Sequence, residues 1–153
     1  MRQTALLLVA LLGLYTVLIA QDSKRQQGFN VSSKYVAIKG YDPVAYFTRG
    51  KAVEGKAAYA AMYDGITYYF SSPQNRAEFL MQPGKFEPQY GGWCAYAMGA
   101  TGEKVEVDVE TFKIISGKLY LFYNSFFNNT LKAWNKDEKN LNAKADVNWV
   151  KRF

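Results

Sequence analysis

From Ala5 to Ala20 the chain is almost unbroken in apolar character, preceded by Arg2 and followed by Asp22, Lys24 and Arg25. A charged cap, a hydrophobic stretch and a polar restart make up the layout of a secretory signal. A spanning helix needs about 20 apolar residues, so the run also sits at the short end of an uncleaved anchor. Ala20 suits the position before a cleavage site, which places the signal at 1–20. Residues 21–34 are polar, with only Phe29 and Val31 apolar, and read as a flexible spacer. The domain itself is expected over 35–153.

Within that domain the pattern becomes local. Asp42 caps a helical turn opening at Pro43, where the missing N–H costs nothing. Tyr59–Tyr63 and Ile66–Phe70 flank Asp64-Gly65, a strong signal for a two-residue hairpin. Phe112–Ile115 and Lys118–Tyr123 bracket Ser116-Gly117, a second one. Ser72 and Pro73 open a helix whose apolar face holds Ala77, Leu80 and Met81, with Phe79 beside it. The glycine-bounded stretch Gln89–Gly99 predicts a short buried helix or turn. Phe127, Leu131 and Trp134 fall at helical spacing, and Asp137 caps a last helix with Leu141, Ala145 and Trp149 on one face. These elements predict an α+β domain: a small antiparallel sheet from two hairpins, short helices packed on it and a helical C-terminal end.

Composition narrows the chemistry. Among 153 residues there is no histidine and one cysteine, Cys94. His-based acid/base catalysis, His-ligated metals and an intrachain disulfide are therefore excluded. With 49% hydrophobic residues, 12 Tyr and 10 Phe, stability comes from the core. The net charge of +6 falls to +5 without residues 1–20, which hold Arg2 alone of the charged side chains. The lysines are interleaved with acids and form neither a basic stripe nor a recognition motif, so no nucleic-acid partner is expected.

Gly40-Tyr41-Asp42-Pro43-Val44-Ala45-Tyr46-Phe47, Tyr63-Asp64-Gly65, Tyr68-Tyr69-Phe70-Ser71-Ser72, Phe79, Pro83 and Tyr90-Gly91-Gly92-Trp93-Cys94-Ala95 occur in one order. Over about residues 36 to 150 the chain resembles the exported, longer type of YHS-domain protein. The short YHS modules carry cysteines that suggest soft-metal binding, and the matching positions here are Ala45, Ser71 and Asn75. None bears a thiol, so what the resemblance implies is the fold and an extracytoplasmic, periplasmic or secreted location.

Two candidate sites follow from the residues. Cys94, flanked by Trp93 and Tyr96 between glycines, is either a buried small hydrophobe or a reactive thiol; Met98, one helical turn on, adds a second sulfur suited to Cu(I). Asp42 with Tyr41 and Tyr46 is either a cap among core aromatics or a polar corner of a pocket, and any acid/base chemistry would fall to it. The aromatic runs Tyr68–Phe70 and Tyr120–Tyr123 are expected to split between core and exposed faces. Asn30-Val31-Ser32 and Asn128-Asn129-Thr130 fit the glycosylation sequon, which matters only in a eukaryotic source. The expected function is a cell-envelope binding or accessory module with a small aromatic pocket formed by Tyr41, Asp42, Tyr46, Tyr90, Trp93 and Cys94. Its partner would be a small molecule or an envelope protein, with the membrane touched only through an uncleaved N-terminus. The alternative is a thiol-based redox or copper-handling protein centred on Cys94 and Met98.

Overall fold

Asp64 and Gly65 both adopt positive φ, +44° and +77°, the geometry that a tight two-residue hairpin turn requires. They join β1 (Lys56–Tyr63) to β2 (Ile66–Phe70), in register Tyr63↔Ile66 and Ala61↔Tyr68. The computed structural model describes residues 24–152, so the export signal expected at 1–20 lies outside the described residues. Along β2, Ile66, Tyr68 and Phe70 are buried while Thr67 and Tyr69 are half-buried, the alternation of a strand with one core face. The second hairpin pairs β3 (Asp108–Ile115) with β4 (Lys118–Phe122) around Ser116 and Gly117.

The protein is a mixed helix and strand fold with small antiparallel sheets and a helical C-terminal end. The sequence pattern suggested one sheet shared by the two hairpins, but they do not share a ladder. Each is a separate two-stranded sheet. Backbone positions on β2 and β4 are taken instead by single-residue bridges, Val36 to Thr67 and Pro88 to Leu119. A third ladder, β5 (Asn124–Ser125) with β6 (Asn128–Asn129), forms where a helix was expected. Asn129 explains that difference: its Oδ1 accepts from Leu131 N and Lys132 N, so the helix starts only at Thr130. Phe127 is thereby left on the hairpin tip.

Among the described residues, seven α-helical segments accompany the strands: α1 (24–28), α2 (Ala45–Thr48), α3 (Pro73–Met81), α4 (Pro83–Phe86), α5 (Ala95–Ala100), α6 (Thr130–Trp134) and α7 (Glu138–Arg152). Ser72 caps α3 as its sequence predicts, accepting from Asn75 N at 3.1 Å. The buried face of α3 is not the expected one, since Ala77, Leu80 and Met81 are exposed and Phe79 is fully buried. Phe79 packs its ring on Tyr68 and Phe70, and Asn75, one turn earlier on the same face, reaches Asp42. Those two inward residues set the rotation of the helix. α7 follows the pattern, burying Leu141 and Ala145 with Trp149 half-buried.

Two apolar clusters form the core. Leu119 and Leu121 of β4 enter one, with Tyr46, Phe79 and Cys94, while Tyr120 and Phe122 enter the other, with Met98 and Trp134. This strand is buried on both faces, so the run Tyr120–Phe122 does not divide into core and exposed halves. Residues 24–34, within the expected spacer, are tied to the domain. Arg25 pairs with Glu87 at 2.6 Å, Gln26 Nε2 donates to Gly65 O at 2.8 Å, and Asn30 N donates to Gly91 O at 2.8 Å.

Candidate functional site

Asp42 is fully buried, and its carboxylate accepts from five donors. Val44 N and Ala45 N reach Oδ1 at 2.9 and 3.3 Å, closing the turn that leads into α2. Oδ2 accepts from Ser71 N at 2.8 Å, Ser71 Oγ at 2.6 Å and Asn75 Nδ2 at 2.7 Å. The cap predicted for Asp42 is thus present, with three further donors from the end of β2 and the start of α3. A buried carboxylate is tolerable on those terms, since each charge-assisted bond replaces hydration it has lost. Beside it, Tyr46 is buried and donates its hydroxyl to Val109 O at 2.9 Å. Burial, and then the fields of neighbouring Tyr41 and Asp108, push its phenol above the ordinary range. Tyr41 is half-buried against the same cluster.

Cys94 is equally sealed, at 0% exposure. Tyr123 N donates to its Sγ at 3.3 Å, and Sγ lies 3.4 Å from Thr130 Oγ1. Thr130 commits its own hydroxyl proton to Tyr123 O at 2.8 Å, so the thiol proton goes to Thr130 Oγ1. The sulfur is a closed link in the core, the plainer of the two readings its sequence allowed. Met98, also fully buried, belongs to the other cluster. Among the described residues, no group of three or more His, Cys, Asp or Glu side chains is placed to hold a metal ion.

The sequence placed a pocket at Cys94 and the Tyr41-Asp42-Pro43 turn, where Asp42 and Cys94 are both fully buried. The polar atoms of both are satisfied from within the core. Of the six residues assigned to that pocket, Tyr90 lines a surface cleft of about 360 Å³. Trp93 lies apart from it, half-buried, with Nε1 donating to Gly28 O at 2.7 Å.

That cleft is built on an unusual stretch of backbone. Tyr90, Gly91 and Gly92 run at φ +55°, +60° and +83°, three left-handed residues in succession. A Cβ on Gly91 would stand 2.8 Å from Trp149 Cη2 and 3.0 Å from Phe29 Cα, so only glycine lets α7 and the Phe29 segment meet there. Phe29 and Tyr90 both set their rings edge-on to Trp149, with centroids 6.0 and 6.3 Å away. Tyr90 donates its hydroxyl to Asp146 Oδ1 at 2.9 Å, with the Asn142 amide 3.0 Å away. Burial, and then that bond to Asp146, raise the Tyr90 phenol well above its ordinary range. Glu87 on the cleft wall accepts from Tyr68 and Arg25, and Lys118 supplies a cation at the rim.

Comparison of the chain with known protein families, curated proteins and solved structures found no match.

The cleft therefore speaks for itself. Aromatic edges beside two carboxylates and an ammonium suit a small ligand with an apolar face and hydrogen-bonding groups. Sequence reasoning named Tyr90 and missed Phe29, Glu87, Asp146 and Trp149 as its neighbours. The adjacent glycines Gly91 and Gly92 were the available signal, since such pairs mark backbone that something approaches closely.

Proposed function

We propose that this chain is an extracytoplasmic binding module of YHS-like type, and that it takes a small molecule in the cleft around Tyr90, Asp146 and Trp149. The observation that carries the reading is the left-handed Tyr90–Gly92 turn, which sets three aromatic rings and two carboxylates from distant parts of the chain around one opening. A non-glycine residue held at positive φ costs stability and is commonly found at ligand sites. The resemblance to YHS proteins gains support from Ser71 and Asn75. These positions of the missing thiols meet on one oxygen of Asp42, and the amide N–H of Ala45, the third, is bound to the other. A hard, saturated corner stands there, in keeping with a module that does not handle soft metals. The sealed Cys94 weighs against the thiol-centred and Cu(I)-handling alternatives, which need an entry path.

Native mass spectrometry of the protein recovered from the cell envelope tests this reading. A bound small molecule should be retained by the wild type and lost in both Trp149→Ala and Asp146→Asn. An adduct that survives both substitutions, or protein that carries none and shows no fluorescence response to envelope extracts, would remove the cleft from consideration.

A further inference from the structure

Phe126 and Phe127 stand at the tip of the β5–β6 hairpin with relative exposures of 99% and 106%. Two adjacent aromatic rings wholly in water are unusual where the other phenylalanines among the described residues are all at least partly buried. The backbone holds them there. Asn124 pairs with Asn129 and Ser125 with Asn128, and Phe126 turns the chain at φ +50°. At the base of this finger, Tyr123 O accepts from both Thr130 N at 3.0 Å and Thr130 Oγ1 at 2.8 Å. Asn124 Nδ2 is anchored to Thr111 Oγ1 at 3.0 Å. The rings therefore cannot fold back onto the core without breaking the hairpin.

We infer that this finger is a membrane-contact element whose two phenylalanines enter the interface of an anionic lipid bilayer. Three observations select that occupant. The first is area: two aromatic side chains offer roughly 300–500 Å², well short of the 1,200–2,000 Å² that a stable protein interface buries. A bilayer needs no matching surface. The second is the collar of the finger, where Asn124, Ser125, Asn128 and Asn129 are polar and uncharged, suited to the headgroup layer. The third is charge. Exposed Lys132, whose backbone N–H is bound by Asn129 of the finger, follows it directly in a chain of net charge +6; Lys113 is paired with Glu138 and Lys118 lines the Tyr90 cleft, so neither counts toward the finger. Asp108, which packs at the base, is engaged by Thr111 Oγ1 and Asn124 Nδ2. Contact through the finger is independent of the Tyr90 cleft.

The test places a reporter at the tip, as Phe127→Trp in the chain as recovered from the envelope. The position is fully exposed, so the melting temperature should stay at the wild-type value. Emission of the introduced indole, after subtraction of the wild-type spectrum, should shift to the blue on adding phosphatidylglycerol vesicles. Lipid brominated along its acyl chains should quench it at least twofold. Phe126→Asn, which tolerates the left-handed backbone, should weaken that quenching when combined with the reporter. An indole that keeps its aqueous emission and escapes the brominated lipid would overturn the inference. So would equal quenching by purely zwitterionic vesicles, or a blue shift that appears with protein concentration alone and marks a contact between copies.

Discussion

Asn75 Nδ2 donates to Asp42 Oδ2 across 2.7 Å, joining residues thirty-three apart in sequence. This bond and the two from Ser71 tie the turn before α2 to the end of β2 and the start of α3. Removal of the carboxylate strands five donors. Asp42→Ala is expected to destabilise the domain by about 3 kcal/mol or more, and Asn75→Ala by about 1–2 kcal/mol. Urea unfolding measures both, and a midpoint for Asp42→Ala within error of the wild type would contradict the network.

Gly91 offers a second test, of the junction between the Tyr90 turn and α7. In Gly91→Ala the new methyl meets Trp149 and the Phe29 backbone, on a residue at φ +60°. Something has to move. A loss of about 2 kcal/mol is expected from combined strain and overpacking. Trp149 emission should shift to the red as its ring gains solvent, while Gly84→Ala, with open space at its Cβ, should leave that emission unchanged.

What was legible in the sequence was the chemistry that acts over a few residues. Asp64-Gly65, the Ser72 cap and the Asp42 cap each satisfy nearby backbone, so their residue types announce them. The Leu141, Ala145 and Trp149 face of α7 was legible for the same reason, as a period along one helix. The apolar face of α3 was not. Its rotation is decided by Asn75 reaching Asp42 on another element, and helical period alone cannot know that a polar residue points inward. Phe127 misled in a similar way, since its spacing to Leu131 fits a helix that Asn129 does not allow to begin. The cleft escaped because Phe29, Tyr90 and Trp149 meet only after folding.

Cys94 should behave as a core residue. Its thiol has no exposed surface, so a disulfide-exchange reagent should modify native protein at least about a hundredfold more slowly than protein in denaturant, with the rate following local or global opening. Cys94→Ala removes the acceptor for Tyr123 N and should cost about 1–2 kcal/mol. Zinc titrated into the reduced monomer should not bind tightly at one equivalent, as one thiol with Met98 supplies too few donors. A thiol that reacts equally fast in native and denatured protein would overturn the assignment.

Buried phenols make stability depend on alkaline pH. Tyr46, Tyr68 and Tyr90 are all raised above the ordinary value near 10, chiefly by burial. The charge of Glu87 adds to the shift at Tyr68, and the hydrogen bond to Asp146 at Tyr90. The sign follows from which state gives up its protons first. Above about pH 10 the unfolded chain ionises these groups while the folded chain does not, so the unfolded state gains. Their contribution is fully present below about pH 10 and is lost as pH rises from there toward the folded values. The fully buried pair Tyr46 and Tyr68 alone gives a slope of about 2.7 kcal/mol per pH unit in that window. Urea unfolding at stepwise alkaline pH, followed alongside tyrosinate absorbance, should show flat stability to about pH 9 and cooperative loss within one or two units above pH 10. Tyr46→Phe keeps the ring and should make the slope shallower by one group, at the cost of its bond to Val109 O. Tyrosinate absorbance rising in full while the fold persists would show that these phenols are open to solvent, and would undo the account of the core given by their burial.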